Sequence, residues 1–299
     1  MVPCDVYVYG MTILSTIHLL KGKYPLPDAY QEIQSTFNIP GGEGANAAIV
    51  LQQLGLRTCL DGCFLGTETA QPLTDYFTKY GIDCTLFQTH RDFPGWRDIV
   101  LCDGDSRTVF GWFGDFLFGG KKLWTEPNEE SIRSAQCVAL DPFFTGASAR
   151  VAELCQMLHK PYVTIDCKFD DPIAQGARAL VISKEFLQRE YPRTDESEMF
   201  EQYRCACAGL LIFTRGSREV WYTSGNAALK TFSPFKVHVI DSLGAGDTFR
   251  AGIVYGLIHG MTENAMVRFA SAAAAISCTR FPSVFQPPTL SEIETLLGE

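Results

Sequence analysis

Short apolar runs alternate with stretches of helical periodicity along the chain. Residues 6–9 are an apolar run that stops at Gly10, and 45–54 carries helical spacing with Gly55 as its stop. Residues 57–65 form a second β-rich run ending at Gly66, and 70–80 a second helix ending at Gly81. The rhythm returns at 138–140 before Asp141-Pro142, in a helix over 147–158, at 162–165 before Asp166, and at 180–182 and 210–213. Such alternation predicts an α/β fold with a mainly parallel sheet and helices on both faces. In open sheets of this kind ligands bind beyond the carboxyl ends of the strands, so residues just past those ends are the ones to inspect.

Two stretches break the rhythm. Residues 33–39 read as an isolated strand. Residues 97–102 and 107–113 read as two strands joined by Asp103-Gly104-Asp105-Ser106, a good hairpin turn. With 13–19 they would build a small antiparallel sheet apart from the main one. A flap over a ligand cleft is one use for it, and an edge extension or dimer contact is another. Trp96, Arg97, Trp112 and Phe113 make this region aromatic-rich, and aromatic faces suit sugars and nucleobases equally.

Composition narrows the function classes. The 299 residues suffice for one large α/β domain or two smaller ones. A net charge of −9 argues against a nucleic-acid surface, which needs clustered Lys and Arg, but not against a small phosphorylated ligand. The 11 Cys are scattered, the closest pair is Cys205 and Cys207, and no CxxC occurs; reduced, buried thiols of a cytoplasmic protein are expected. The five His are isolated and form no metal-ligand pattern. No apolar run approaches the roughly 18 residues of a membrane span, and residues 1–9 lack the basic start of a signal peptide.

The chemistry concentrates in 241–252, DSLGAGDTFRAG. A predicted strand over 236–240 turns through Gly244-Ala245-Gly246 into a helix from Asp247 to about His259. Phe249, Ile253 and Leu257 form its apolar face. A helix N-terminus offers unpaired amides and partial positive charge, and small residues let an anion approach the backbone. Asp247 at the same place either starts the helix or accepts a proton from an attacking hydroxyl. Phosphoryl transfer needs both an anion site and a base. No GxxxxGK[ST] and no GxGxxG occurs, so neither common phosphate loop is available.

Two separated segments carry a resemblance. Gly41-Gly42-Glu43-Gly44-Ala45-Asn46-Ala47-Ala48 is similar to the N-terminal GG-x-G-A-N motif of the PfkB (ribokinase-like) carbohydrate kinase family. Residues 241–252, about 200 positions later, are similar to its D-[ST]-x-G-A-G-D-x-F motif. The resemblance implies one kinase domain over 1–299: an αβα sandwich with a small β-lid from segments near 11–39 and 96–114. It also implies that Gly244, Ala245 and Gly246 form an anion hole and that Asp247 deprotonates the acceptor. Gly41, Gly42 and Asn46 would line the sugar site. Thr214-Arg215-Gly216-Ser217 resembles the family's T-x-G loop, so Thr214 and Gly216 would contact ATP. Arg107 would reach substrate or phosphate. ATP would come with Mg²⁺, and Asp241 and the Ser283 region lie where ligands of a monovalent cation (K⁺) would come from. A homodimer through the lid is expected.

Within the family the N-terminal third is nearest ketohexokinase-like sugar kinases. Lys23-Tyr24-Pro25 followed by Asp28 resembles the first lid crossing, where an Asp contacts the sugar. Two departures stand out. Ser15 occupies the position where many members carry a sugar-binding Asp, and Ser183-Lys184-Glu185-Phe186 stands where N-x-x-E is expected. A serine makes one or two hydrogen bonds but is no charged acceptor. The expected activity is ATP-dependent phosphorylation of a primary hydroxyl on a sugar-like molecule. A nucleoside kinase and a catalytically weak sugar-binding regulator are the alternatives.

Overall fold

A computed structural model describes residues 4–104, 106–225 and 227–298. The strands are β1 (Val6–Gly10), β2 (Ile13–Leu20), β3 (Ile33–Gly41), β4 (Thr58–Gly62), the short β5 (Leu65–Gly66) and β6 (Thr89–His90), β7 (Arg97–Cys102) and β8 (Arg107–Gly111). They continue as β9 (Cys137–Leu140), β10 (Tyr162–Ile165), β11 (Ala179–Ser183), β12 (Leu210–Thr214), β13 (Val220–Ser224) and β14 (Lys230–Phe232). The main sheet has the order β14-β13-β12-β11-β10-β9-β1-β4. From β4 to β12 its pairs are parallel, and β13 and β14 close one edge in antiparallel fashion.

The strands read as apolar runs because both faces of the sheet are covered. All five residues of β1 are buried. Val6 and Val8 enter one core with Ile49, Phe249 and Ile253 from the helices Glu43–Gln53 and Ala245–Ile258. Tyr7 and Tyr9 enter the opposite core with Val151 and Leu154 from the helix Ala147–Met157. Two buried faces on one strand demand apolar residues at every position, and the period-two alternation of a half-exposed strand disappears.

The small sheet has the order β3-β2-β7-β8. β2–β3 and β7–β8 are antiparallel, whereas β2 and β7 run parallel because a long crossover through the main sheet separates them. One face carries a separate apolar cluster of Ile17, Ile39, Val100 and Cys102, packed against Leu243 and Phe281. The β7–β8 turn is held by the Asp103 carboxylate, which accepts from the Ser106 amide at 2.8 Å; Asp105 of that turn lies outside the described residues.

Three expected elements differ. Residues 236–240 form no strand: the amides of Ile240 and Asp241 both bond to the Cys278 carbonyl, at 2.8 and 3.2 Å, and Val239 and Ile240 are exposed. Without a partner strand or a face to cover, that apolar run stays an extended connection. The run 57–65 breaks at Gly62, whose φ of 122° ends the strand. The run 107–113 stops at Gly111, and a short helix, Phe113–Phe118, follows. Among the described residues no helix is long and apolar enough to cross a membrane, and no cysteine is in a disulfide.

Candidate active site

The carboxyl ends of the parallel strands gather the polar residues. Asp141 follows β9, Asp166 follows β10, Ser183 ends β11 and Thr214 ends β12. Two helices start at the same edge. Helix Glu43–Gln53 begins directly over the end of β1, and a Cβ on Gly44 would stand 2.8 Å from the Gly10 backbone. Glycine at 44 is what lets Asn46 reach the sheet edge. Helix Ala245–Ile258 begins after Gly244, which caps it in the left-handed region at φ 74°. Asp247 therefore sits inside the first turn rather than at the helix start, with its carboxylate turned toward the sheet edge. An added Cβ on Gly246 would meet no atom within 4 Å, so the loop surface there is open.

The two motif segments meet directly. Asn46 Nδ2 donates to Asp247 Oδ2 at 2.8 Å, joining residues 201 positions apart. Asp247 is 8% exposed. Burial raises its pKa from the ordinary carboxylate range to about 7, opposed by Arg250 and the Asn46 amide and reinforced by Asp141 and Asp166. Glu43 is raised as well, by burial first and by Asp247 next.

One turn after Asp247, Arg250 is fully buried. Its guanidinium pairs with the equally buried Asp141 and donates to the Glu43 carbonyl at 2.6 Å. Asp141 accepts in turn from the Met11 amide at 2.7 Å and packs onto Gly10, where a Cβ would collide with it. This pair pins helix Ala245–Ile258 to the ends of β1 and β9, and so fixes Asp247. Asp141 and Asp166 stand where strand-end reasoning looks, but their roles were not legible. Arg250 was missed, although Asp247 and Arg250 are the only charges in the helix Ala245–Ile258. A cation among apolar helix positions was the available signal.

The other expected residues scatter around this centre. Arg107 at the start of β8 donates to Ser242 Oγ at 2.6 Å, so the small sheet touches the loop ahead of Asp247 directly. Asp241 accepts from the Leu243 and Ser283 amides at 2.9 and 3.0 Å, and Ser283 Oγ donates to the Leu243 carbonyl. These two residues brace the loop and offer oxygen donors only, which suits a hard cation. Ser183 caps the helix Lys184–Glu190 and donates to Asp166 Oδ2 at 2.9 Å, which fixes the segment that stands where N-x-x-E is expected. Thr214 and Gly216 flank Arg215, and Gly216 turns the chain at φ 64°. Arg215 is engaged by Glu196 at 2.7 Å and stacks over Trp221. Ser15 and Gly41 lie against each other on the buried face of the small sheet. Gly42 has φ 90° and its chain packs on Met11. Asp28 is exposed at φ 65° and, among the described residues, is not hydrogen-bonded to this group.

The chain matches the family model described as pfkB family carbohydrate kinase over residues 177–290. It is similar to ribokinase of Bacillus subtilis (strain 168), with 26% identity over 277 residues, 87% of this chain and 88% of that protein. It is similar to the nucleoside kinase of Methanothermobacter thermautotrophicus, with 26% identity over 292 residues, 91% of this chain and 88% of that protein. Among solved structures it superposes on Arabidopsis thaliana ribokinase complexed with ribose and ATP at a TM-score of 0.82, with 18% identity and 99% of each chain covered.

Proposed function

Because the chain belongs to the pfkB family of carbohydrate kinases and is thus a phosphotransferase of the sugar-kinase type, we propose that it transfers the terminal phosphoryl group of ATP to a primary hydroxyl of a sugar-like acceptor, with Asp247 as general base. The observation that carries this reading is the bond between Asn46 and Asp247. It puts an acceptor-side amide and a buried carboxylate within one hydrogen bond of each other, at the mouth of a helix.

In this mechanism Asp247 takes the proton of the attacking hydroxyl while Asn46 holds the carboxylate in position. The amides of Gly244, Ala245 and Gly246 face the transferring phosphoryl group, whose charge the helix terminus stabilises. Mg²⁺ bound with the nucleotide would neutralise phosphate charge. Asp241 and Ser283 would hold a monovalent cation behind the same loop. Thr214 and Gly216, at the end of β12, receive the nucleotide. Gly41, Gly42 and Asn46 line the acceptor side. The exposed Val109 and Phe110 of β8, with Trp112 just after it, give the small sheet an apolar edge for a homodimer.

A nucleoside acceptor is the second reading, supported by an identity to the archaeal nucleoside kinase equal to that with ribokinase. The regulatory alternative is less well supported, since a buried carboxylate with a raised pKa is what a base near neutral pH requires. The test is ATP-dependent phosphorylation of a panel of pentoses, hexoses, ketoses and nucleosides. Turnover of a nucleoside at a higher kcat/KM than every free sugar would favour the second reading, and binding without turnover across the panel the third.

Arg107→Ala tests the lid contact. Losing a charged donor to Ser242 is expected to raise KM for ATP or acceptor roughly three- to tenfold with little change in melting temperature. Unchanged KM for both would show that Arg107 only decorates the lid.

A further inference from the structure

The buried face of the small sheet carries a carboxylate that neither motif covers. Asp98 on β7 is 7% exposed, and its Oδ1 is fully buried with no hydrogen-bond partner among the described residues. An ionised oxygen left in that state costs stability and is expected only where something else completes it. Its neighbours are known from the ladder. Asp98 pairs with Ser15 of β2, and Ser15 pairs with Ile39 of β3. Side chains alternate across a strand, so Asp98 and Val100 share a face, as do Ser15 and Ile17. That face looks toward Leu243, next to the anion loop. On the same face, Ser15 Oγ presses on Gly41, where any Cβ would overlap it. Asp98, Ser15 and Gly41 thus form a row across the sheet, and two residues after Gly41 begins the helix whose Asn46 bonds Asp247.

The nearest groups leave Asp98 unneutralised. Burial pushes its pKa up to about 6, and the Ser15 hydroxyl alone pulls the other way. Among the described residues no cation makes an ion pair with it. What is missing is therefore a hydrogen-bond donor that reaches the face from the cleft.

We propose that Asp98 is the residue that binds the acceptor at the end remote from Asp247, receiving two adjacent hydroxyl groups with Ser15 completing the contact. The proposal rests on the kinase reading above and assigns specificity within it. Ser15 brings no charge of its own, and Asp98, one strand over, supplies the charged acceptor. A carboxylate accepts from two donors at once, so it selects a vicinal diol and penalises a deoxy analogue, whose absent hydroxyl leaves the buried oxygen unpaired. The neutral amide of Asn has one acceptor oxygen in place of two.

Asp98→Asn, Asp98→Leu and the parent are compared in two measurements. The first is melting without ligand at pH 8. Because one oxygen of the carboxylate is buried without a donor, both variants are expected to melt at or above the parent, by about 2–4 °C. A variant that melts well below the parent would show that Asp98 holds the lid together, and would overturn the proposal. The second is steady-state kinetics and thermal shift with D-ribose, 2-deoxy-D-ribose, D-fructose and inosine. Asp98→Asn is expected to raise the acceptor KM at least tenfold, to leave the ATP KM within twofold, and to erase the parent's preference for the diol over its deoxy analogue. An acceptor KM unchanged in both variants would refute the role. Failure of the kinase reading looks different: the parent then turns over none of the four, while the melting measurement still decides whether Asp98 is a held-open binding group or a structural one.

Discussion

Asp247→Asn is expected to lower kcat by at least ~10²-fold while leaving the ATP KM close to that of the parent. The substitution keeps shape and the Asn46 contact, since the new amide oxygen can still accept from Asn46 Nδ2. What disappears is the ability to take a proton. The parent's pH profile carries a second mark. A general base at Asp247 would have to be ionised, and burial raises its pKa to about 7, so kcat/KM should fall about tenfold per pH unit below neutrality rather than below pH 4. The sign for stability runs the other way. A carboxyl whose folded pKa is raised stabilises fully below its unfolded value near 4 and loses that contribution as pH rises to about 7. Asp247→Asn should therefore be no less stable than the parent at pH 8, so lost turnover cannot come from unfolding. Turnover within tenfold of the parent in the Asn variant would remove Asp247 from the base role.

Arg250→Met is expected to be among the most destabilising single changes in the chain, at about 3–5 kcal/mol. Both partners of the Arg250–Asp141 pair are fully buried. Removing the cation leaves Asp141 with the Met11 amide but no counter-charge. Against a typical total stability of about 5–15 kcal/mol, such a loss is a large share. Adding Asp141→Asn in the same chain should recover part of it, because the second change removes the stranded charge; a double variant no better than the single would show that packing, not charge, was lost. The catalytic readout is separate. Arg250 holds the Asp247 pKa down, so in any folded fraction of Arg250→Met the acid limb of kcat/KM should move to higher pH. A melting temperature within a degree of the parent would contradict the account of this pair.

The legible parts of this protein were those coded by local physics. The apolar runs of β1, β9, β10, β11 and β12 stood out because sheet strands covered on both faces are apolar almost throughout, with Thr164 the buried exception inside β10. The Gly-Ala-Gly turn ahead of Asp247 stood out because consecutive small residues at a helix start leave the backbone amides accessible. The run 236–240 misled because apolar content alone does not supply a partner strand; its amides go to Cys278 instead. Arg250 and Asp98 escaped notice for a related reason. Each is a single polar residue whose meaning lies in what it faces: Asp141, 109 positions away, and Ser15 across the β2–β7 ladder.

The sequence by itself therefore determined the α/β rhythm, the two motif loops and Asp247 at a helix mouth, since each depends on residues adjacent in the chain. Only the tertiary structure decided that Asp247 lies in the first turn in contact with Asn46, that its environment is a buried carboxylate cluster balanced by Arg250, and that Asp98 stands beside Ser15 with one buried oxygen unpaired. Contact between distant residues, burial and the resulting pKa shifts arise from packing, and packing is set by the whole chain at once.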